Sequence, residues 1–220
     1  MKDPNVSYRI FPLSLEKKKK SLSLRQRTKE ANLTLAEAEI GAIESLFGFS
    51  ARIAKHPCGA PYIFLEDKRQ TLPISISHSG DYLVIAWTSN SASVGVDIQM
   101  MEDRITLVLP RICSESEIAL FERHLQYPPS SCVPEDRTRT MLATAFWSAK
   151  EAFYKALYRL SPSVDFRRHY TIEAIRYTSD CELLQTISYS YADDSINALC
   201  RTRVTDDFCL SYVAIPADFC

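Results

Sequence analysis

Glycine is scarce in this 220-residue chain, and its distribution excludes two common kinds of phosphate site. No glycine follows residue 95, and nowhere do the glycines form G-x-G-x-x-G or G-x-x-x-x-G-K-[ST]. Those patterns let backbone amides surround the phosphates of a nucleotide. Any phosphate that this chain binds must therefore be held by side chains and a metal ion. The five glycines are Gly41, Gly48, Gly59, Gly80 and Gly95.

Paired cysteines are lacking as well. The seven cysteines are an odd number, are scattered along the chain and never occur as C-x-x-C. Their spacing argues against a disulfide framework and against a zinc site. It is typical of free thiols in a reducing compartment, so we expect a cytoplasmic protein.

The sequence also lacks a long apolar run and a large net charge. No stretch approaches the roughly 20 apolar residues that span a bilayer, and the N-terminal residues lack the apolar region of a secretory signal. The net charge is −1, so we expect neither nucleic acid nor a membrane as a partner. Hydrophobic residues make up 46% and charged residues 24%, which is ordinary for a globular protein of one large or two small domains.

The hydrophobic patterns predict an α+β fold. The segment 207–214 faintly repeats 81–86, which indicates two similar halves in a pseudo-two-fold arrangement, over residues 1–98 and 99–220. Each half would hold a small antiparallel sheet packed with helices. The predicted strands lie within 1–12, 62–65, 72–77, 82–88, 94–98, 169–177, 183–190, 196–205 and 208–215, and the predicted helices span 31–47, 114–126 and 138–160.

One predicted helix carries both an apolar stripe and a row of polar side chains. Within 141–160, apolar residues recur at steps of three and four, so they form a face turned to the core. Trp147, Glu151 and Lys155 are spaced i, i+4 and i+8 and form a second row along this helix. This row could stand at the edge of a cleft. The alternative is a surface Glu–Lys pair that stabilises the helix by about 0.2–0.5 kcal/mol.

Polar side chains gather where two predicted strands end. Ser75 and Ser77 alternate with isoleucines, so the serines share one face of their strand. His78 follows, and Asp97 ends a later strand, so the two could meet at the ends of neighbouring strands. A purely structural role for His78 stays open. A hydrolase that uses Ser77 or Ser79 is a weak alternative, because no G-x-S-x-G turn exists.

A basic segment near the N-terminus has two interpretations. Lysines fill positions 17–20, and Arg25, Arg27 and Lys29 follow. The segment is either a solvated face or a rim that grips phosphate.

Several motifs, in order along the chain, match a known enzyme family. Gly95-Val96-Asp97-Ile98 is followed about fifty residues later by Trp147-Ser148-x-Lys150-Glu151-Ala152-x-x-Lys155. Ser75-Ile76-Ser77-His78-Ser79 precedes the first signature, and Arg111-x-x-Ser114-Glu115-x-Glu117 lies between the two. Together these motifs resemble those of the 4′-phosphopantetheinyl transferases. The length and spacing resemble the longer, monomeric class typified by the surfactin-synthetase transferase, from about residue 20 onward.

The resemblance implies an activity whose chemistry fits these residues. Such enzymes move the 4′-phosphopantetheine group of coenzyme A onto a serine hydroxyl of an apo acyl or peptidyl carrier protein and release 3′,5′-ADP. Mg²⁺ is the implied cofactor, bound by Asp97 and Glu151 with Gln99 as a further candidate ligand. Glu151 would also accept the proton of the carrier serine, and Lys155 would stabilise the pyrophosphate. The implied contacts to coenzyme A are Ser77, His78 and Lys155, with Lys150, Arg25 and Arg27 as further candidates.

Three departures from the family pattern bear on this expectation. Gln99 stands where relatives often carry an acid, which leaves more of a metal's charge uncompensated. Ala60 stands where relatives commonly carry Lys or Arg before a proline, so one phosphate-contacting cation is missing and weaker coenzyme A binding is expected. The N-terminal phosphate-binding arginine has Arg25, Arg27 and Lys29 as candidates. The alternative function is a catalytically degenerate member that binds coenzyme A or a carrier protein without turnover.

Overall fold

Two five-stranded antiparallel sheets and the helices packed against them form the molecule. The computed structural model describes residues 6–13, 24–66, 70–89, 93–126, 134–158, 163–179 and 181–216, with the backbone alone for 24–32, 70 and 179. The architecture confirms the predicted α+β class.

The first sheet is built from the N-terminal part of the chain. Its strand order is β1-β5-β4-β3-β2. Helix α1 (Leu24–Phe47) connects β1 to β2 and packs on one face of this sheet, where Ile43, Ile63, Leu83 and Ile85 are buried together. The strands are β1 (Val6–Pro12), β2 (Ala51–Lys55), β3 (Pro61–Leu65), β4 (Gln70–Ser79) and β5 (Tyr82–Thr88).

The second sheet and most of the remaining helices follow. Its strand order is β6-β10-β9-β8-β7, and the longest helix of this part crosses the sheet. The strands are β6 (Ser93–Met100), β7 (Tyr170–Ser179), β8 (Glu182–Tyr191), β9 (Asp194–Val204) and β10 (Phe208–Ile215). The helices are α2 (Leu109–Ile112), α3 (Glu115–Leu125), α4 (Thr138–Ala156) and α5 (Phe166–His169), with 3₁₀ turns at Asp103–Leu107 and Glu135–Arg137.

The two sheets share one topology. In each, the first strand pairs with the last, and a long helix lies between the first strand and the second. The repeated segment 81–86 and 207–214 falls on β5 and β10, which are the equivalent last strands. β6 pairs with β10, so the predicted boundary after Ile98 lies inside a strand of the second sheet, and the change of sheet occurs before Ser93.

Several boundaries differ from those that the sequence predicts. α1 begins at Leu24 rather than near residue 31, because its polar first turns lack apolar periodicity but consist of good helix formers. Strand β2 and the short helices α2 and α5 were not predicted, since four or five residues carry too little periodic signal. The helix predicted from 114 is α3, and Ser114 and Glu117 form its capping box.

Serine side chains join the two sheets. β4 runs along the edge of β6 that is not paired with β10, and that edge exposes backbone amides. The hydroxyl oxygens of Ser75, Ser77 and Ser79 accept hydrogen bonds from the backbone N–H groups of Val96 (3.0 Å), Ile98 (3.3 Å) and Met100 (3.1 Å). The predicted alternation therefore has a structural use, because the serine face of β4 satisfies the amides of β6.

Helix α4 packs directly on the backbone of β6 at Gly95. A Cβ atom at this position would lie 1.8 Å from the carbonyl oxygen of Ala152 and 2.7 Å from the amide nitrogen of Ala156. Two hydroxyls hold the same contact: Ser93 donates to the carbonyl of Ala156, and Ser148 donates to the carbonyl of Asp97 at 3.0 Å. Only glycine permits this approach, which determines the separation between β6 and α4.

Gly95→Ala is expected to destabilise the protein by about 1–3 kcal/mol or more, because backbone atoms of α4 must move to admit the methyl group. Urea unfolding measures the change. Gly41→Ala is the matched control: apart from its chain neighbours and the adjacent backbone of its own helix, no described atom lies within 4 Å of a Cβ there, and alanine in a helix should stabilise by about 0.5–1 kcal/mol. Equal effects of the two substitutions would contradict the packing argument.

Candidate active site

Asp97, Lys155 and Ser77 meet where the two sheets and α4 converge. The ammonium of Lys155 donates to Asp97 Oδ1 at 2.8 Å, to Ser77 Oγ at 3.0 Å and to the carbonyl of Val96 at 3.2 Å. Ser77 Oγ also donates to Asp97 Oδ1 at 2.8 Å. Asp97 is only 6% exposed, so this network is partly shielded from water. Three separate elements, β4, β6 and α4, thus supply one cluster.

The second carboxylate oxygen of Asp97 has a different environment. Asp97 Oδ2 is buried and accepts no hydrogen bond from any residue in the described ranges. A buried acceptor without a partner costs roughly 1–3 kcal/mol, and more when it is charged. Such an atom indicates a site that a cation or a further donor group completes.

Glu151 lies one turn before Lys155 on α4, and the charges of Asp97 and Lys155 both act on its carboxyl group. Burial and the negative charge of Asp97 raise the pKa of Glu151 to about 7, although the positive charge of Lys155 offsets part of the rise. Two carboxyl groups and one ammonium therefore interact electrostatically, with a net negative charge when both acids are ionised. A group that titrates near neutrality can exchange a proton with a bound substrate.

These carboxylates fit the ligand set of a magnesium ion. Mg²⁺ binds through one or two carboxylates and completes its octahedron with water and substrate phosphates. Asp97 Oδ2 and Glu151 would supply the carboxylates, and Gln99 lies on the same face of β6, two residues beyond Asp97. Within the described parts of the chain, no three or more His, Cys, Asp or Glu side chains converge on one point.

His78, Arg25 and Arg27 are also predicted contacts to coenzyme A, and only the side chain of His78 lies within the described residues. His78 is exposed at the end of β4, next to the buried Ser77. Burial raises the pKa of the carboxyl group of Glu39 in α1, the charge of His78 offsets part of this rise, and Glu39 lines the cleft described below. The side chains of Arg25 and Arg27 lie outside the described residues, as do positions 17–20.

Lys150, a further candidate contact to coenzyme A, is buried in the interior and paired there with Glu117. Its side chain and that of Glu117 are both 0% exposed, and they form an ion pair at 2.7 Å. The ammonium also donates to the carbonyls of Ile112 (2.6 Å), Tyr170 (2.7 Å) and Phe166 (3.2 Å). Lys150 therefore ties α4 to α3, α2 and the start of β7.

Glu117 completes this internal network. It accepts hydrogen bonds from the backbone N–H groups of Ser114 (2.8 Å) and Ile172 (2.9 Å) in addition to Lys150. The sequence placed Glu117 at the start of a predicted helix but did not identify it as the partner of Lys150, because the two are 33 residues apart. A buried ion pair of this kind is satisfied on both sides and has no capacity left for a ligand.

A cleft of about 240 Å³ opens beside Lys155. Both sheets and both long helices contribute to its walls, and its charged lining residues are Glu39, Lys55 and Lys155. Ala60 and Gly59 line it from the turn between β2 and β3. The volume is below the roughly 300–1,000 Å³ of sites that enclose a drug-sized molecule, so a larger ligand would extend out of it.

The amino-acid sequence around this site matches a known protein family. Residues 93–212, more than half of the chain, match the 4′-phosphopantetheinyl transferase superfamily. The chain belongs to that superfamily. No curated protein matches the chain in a sequence comparison.

Membership of the superfamily makes the protein a phosphopantetheinyl transferase, with coenzyme A as co-substrate and carrier proteins as acceptors. The matched segment includes β6 and α4, which carry Asp97, Glu151 and Lys155. Ser77 and the wall of the cleft formed by β2, β3 and β4 lie before the matched segment. Across the described stretches, no helix is long and apolar enough to cross a membrane.

Glu151→Gln is expected to stabilise the transferase at alkaline pH. Because its folded-state pKa is raised to about 7 from 4.5, ionisation costs folding free energy as the pH rises through this window, on the order of 2 kcal/mol. The variant should exceed the wild type in stability at pH 8 and match it below about pH 5. Thermal unfolding across this range measures the difference. Glu173→Gln, an exposed carboxyl on β7, is the control, and a pH dependence that Glu151→Gln leaves intact would refute the argument.

Lys150→Met is expected to destabilise the transferase by about 3–5 kcal/mol, because the carboxylate of Glu117 stays buried without its counter-charge. Arg139→Met is the matched control on the same helix. Arg139 pairs with Glu122 at 2.7 Å, but both side chains are at least half exposed, so the expected loss is about 0–1 kcal/mol. Denaturant unfolding of both variants tests the contrast, and similar losses would contradict it.

Proposed function

We propose that this protein transfers the 4′-phosphopantetheine group of coenzyme A to a serine hydroxyl of an apo carrier protein, in a magnesium-dependent reaction that releases 3′,5′-ADP. The observation that carries this proposal is the partly buried cluster of Asp97, Glu151 and Lys155, in which one carboxylate oxygen has no partner among the described residues. Such a cluster provides both the negative ligands and the positive charge that pyrophosphate cleavage needs.

Glu151 is proposed as the general base. Its raised pKa, about 7, keeps it able to take up a proton near neutral pH. The carrier serine hydroxyl gives its proton to Glu151 while its oxygen bonds to the phosphorus that bears the pantetheine arm. The bond from that phosphorus to the bridging oxygen breaks, and the electron pair leaves with 3′,5′-ADP.

Lys155 is proposed to stabilise the charge that develops on the pyrophosphate. Its ammonium is held by Asp97, Ser77 and the carbonyl of Val96, and its side chain is 19% exposed. The ammonium is therefore oriented before a substrate arrives, and it lines the cleft from which coenzyme A would approach. Ser77 positions both Asp97 and Lys155, while His78, which is exposed near the end of β4, is proposed to contact a phosphate.

A magnesium ion held by Asp97 and Glu151 would neutralise the phosphate oxygens and orient the pyrophosphate. Gln99 shares the face of β6 that bears Asp97 and is the further proposed ligand, through a neutral amide.

We also propose that the enzyme acts as a monomer of the longer class of this superfamily. Ser77 comes from the first sheet, whereas Asp97 and Lys155 come from the second sheet and its helix. Since one chain supplies all parts of the cluster, no second copy is needed to complete it. This supports two halves with the site between their sheets, although the change of sheet before Ser93 leaves the predicted boundary between 1–98 and 99–220 inside β6.

Incubation of an apo carrier protein with this protein, coenzyme A and Mg²⁺ is expected to add one phosphopantetheine group to the carrier. EDTA should abolish the addition, and Asp97→Ala and Glu151→Gln should slow it by about 10²–10⁴-fold, because each removes a group that acts on the reacting atoms. Intact mass spectrometry of the carrier measures the product.

Glu173→Gln serves as the control carboxyl outside the site and should retain full activity. Transfer that persists in EDTA or in Asp97→Ala would overturn the metal assignment. No transfer to acyl or peptidyl carriers, with coenzyme A still bound, would replace the proposed reaction with a non-catalytic binding function.

A further inference from the structure

The cleft beside Lys155 has a second cation that the sequence motifs do not include. Lys55 is the last residue of β2, is exposed and lines the cleft together with Lys155, Gly59 and Ala60. Among the described residues its ammonium pairs with no carboxylate at ion-pair distance. A cation without such a partner, at the wall of a cleft, is suited to bind an anion.

The turn between β2 and β3 holds Lys55 next to Ala60. Lys55 pairs with Pro61 in the antiparallel register, and the backbone N–H of His56 donates to the carbonyl of Ala60 at 2.9 Å. Gly59 adopts a φ of +92°, which side chains disfavour, and its N–H donates to the carbonyl of His56 at 2.8 Å. The turn is therefore tight, and Lys55 at the end of β2 and Ala60 just before β3 both line the cleft.

The pKa of Glu39 reflects the positive charges near this part of the cleft. Burial raises the pKa of this carboxyl group, and the charges of His78 and Lys55 offset part of the rise. Glu39 and Lys55 both line the cleft, and the charge of His78 acts on Glu39 as well. An ionised Glu39 opposes the binding of an anion there, whereas Lys55 and His78 favour it.

Coenzyme A carries one phosphate beyond its pyrophosphate, on the 3′ position of the ribose. If the pyrophosphate lies at Lys155, the adenosine end must either enter the cleft or extend into solvent. Lys55 and Lys155 both line the cleft, so the nucleotide end that enters it brings its 3′-phosphate among side chains that include Lys55.

We propose that Lys55 is a specificity-determining residue that binds the 3′-phosphate of coenzyme A and so replaces the cation missing at Ala60. The inference rests on the proposed function, since it takes coenzyme A as the ligand of the cleft. It predicts that this enzyme distinguishes coenzyme A from 3′-dephospho-coenzyme A through a residue of β2.

Isothermal titration of the protein with coenzyme A and with 3′-dephospho-coenzyme A, in the absence of a carrier protein, tests the proposal. Lys55→Ala should weaken coenzyme A binding about tenfold and leave binding of the dephospho compound unchanged. Lys55→Arg should retain most of the affinity, because it keeps the charge. The double variant Lys55→Ala with Ala60→Lys should recover affinity, because it returns the cation to the same wall.

Two further variants sharpen the measurement. Arg52→Ala removes a cation three residues earlier in β2, paired with Glu66 and mostly exposed, and it should change neither affinity. Glu39→Gln should tighten coenzyme A binding more than dephospho-coenzyme A binding, because it removes a negative charge near the phosphate.

The outcomes separate this inference from the proposed function. Equal weakening of both ligands by Lys55→Ala, or no weakening of either, would overturn the role of Lys55 while the transferase activity still stands. A wild-type protein that binds neither compound and modifies no carrier protein would overturn both.

Discussion

The contact between α4 and β6 at Gly95 is the constraint on which the rest of the site depends. The helix backbone occupies the space that a side chain at this position would need. That closeness brings Asp97, two residues further along β6, within ion-pair distance of Lys155 on the helix. Ser93 and Ser148 hold the contact on either side of Gly95. A larger separation between strand and helix would remove the cluster without altering any of its residues.

The cluster itself is not electrostatically balanced, and this distinguishes it from the other buried charges of the enzyme. Asp97 has a buried oxygen without a partner in the described chain, and the pKa of Glu151 is raised by burial and by Asp97. Lys150 and Glu117, by contrast, are completely buried and fully paired. A buried charged atom without a hydrogen-bond partner lowers the stability of the fold, and such atoms are typical of sites that bind a ligand. The same helix thus carries one lysine that stabilises the fold and another that is available to a substrate.

Much of this arrangement could be predicted from periodic patterns. The alternation of serines and isoleucines identified one face of β4, the spacing of Glu151 and Lys155 placed them on one row of α4, and Ser114 with Glu117 identified the start of α3. The position of Lys150 was not predictable in this way. It is five residues before Lys155, which turns it by about 140° around the helix, but only the packing of α3 and β7 determines that this direction is the interior.

The sequence by itself determined the α+β class, the order of the longer strands and helices and the motifs of the phosphopantetheinyl transferases, because these depend on residues close together along the chain. Only the tertiary structure decided which residues meet: Ser77 with Asp97 across two sheets, Lys150 with Glu117 inside the core, and Lys55 with Lys155 along one cleft. The physical reason is that backbone geometry imposes the periods of strands and helices locally. Contacts between distant segments arise only when those elements pack together to bury their apolar faces.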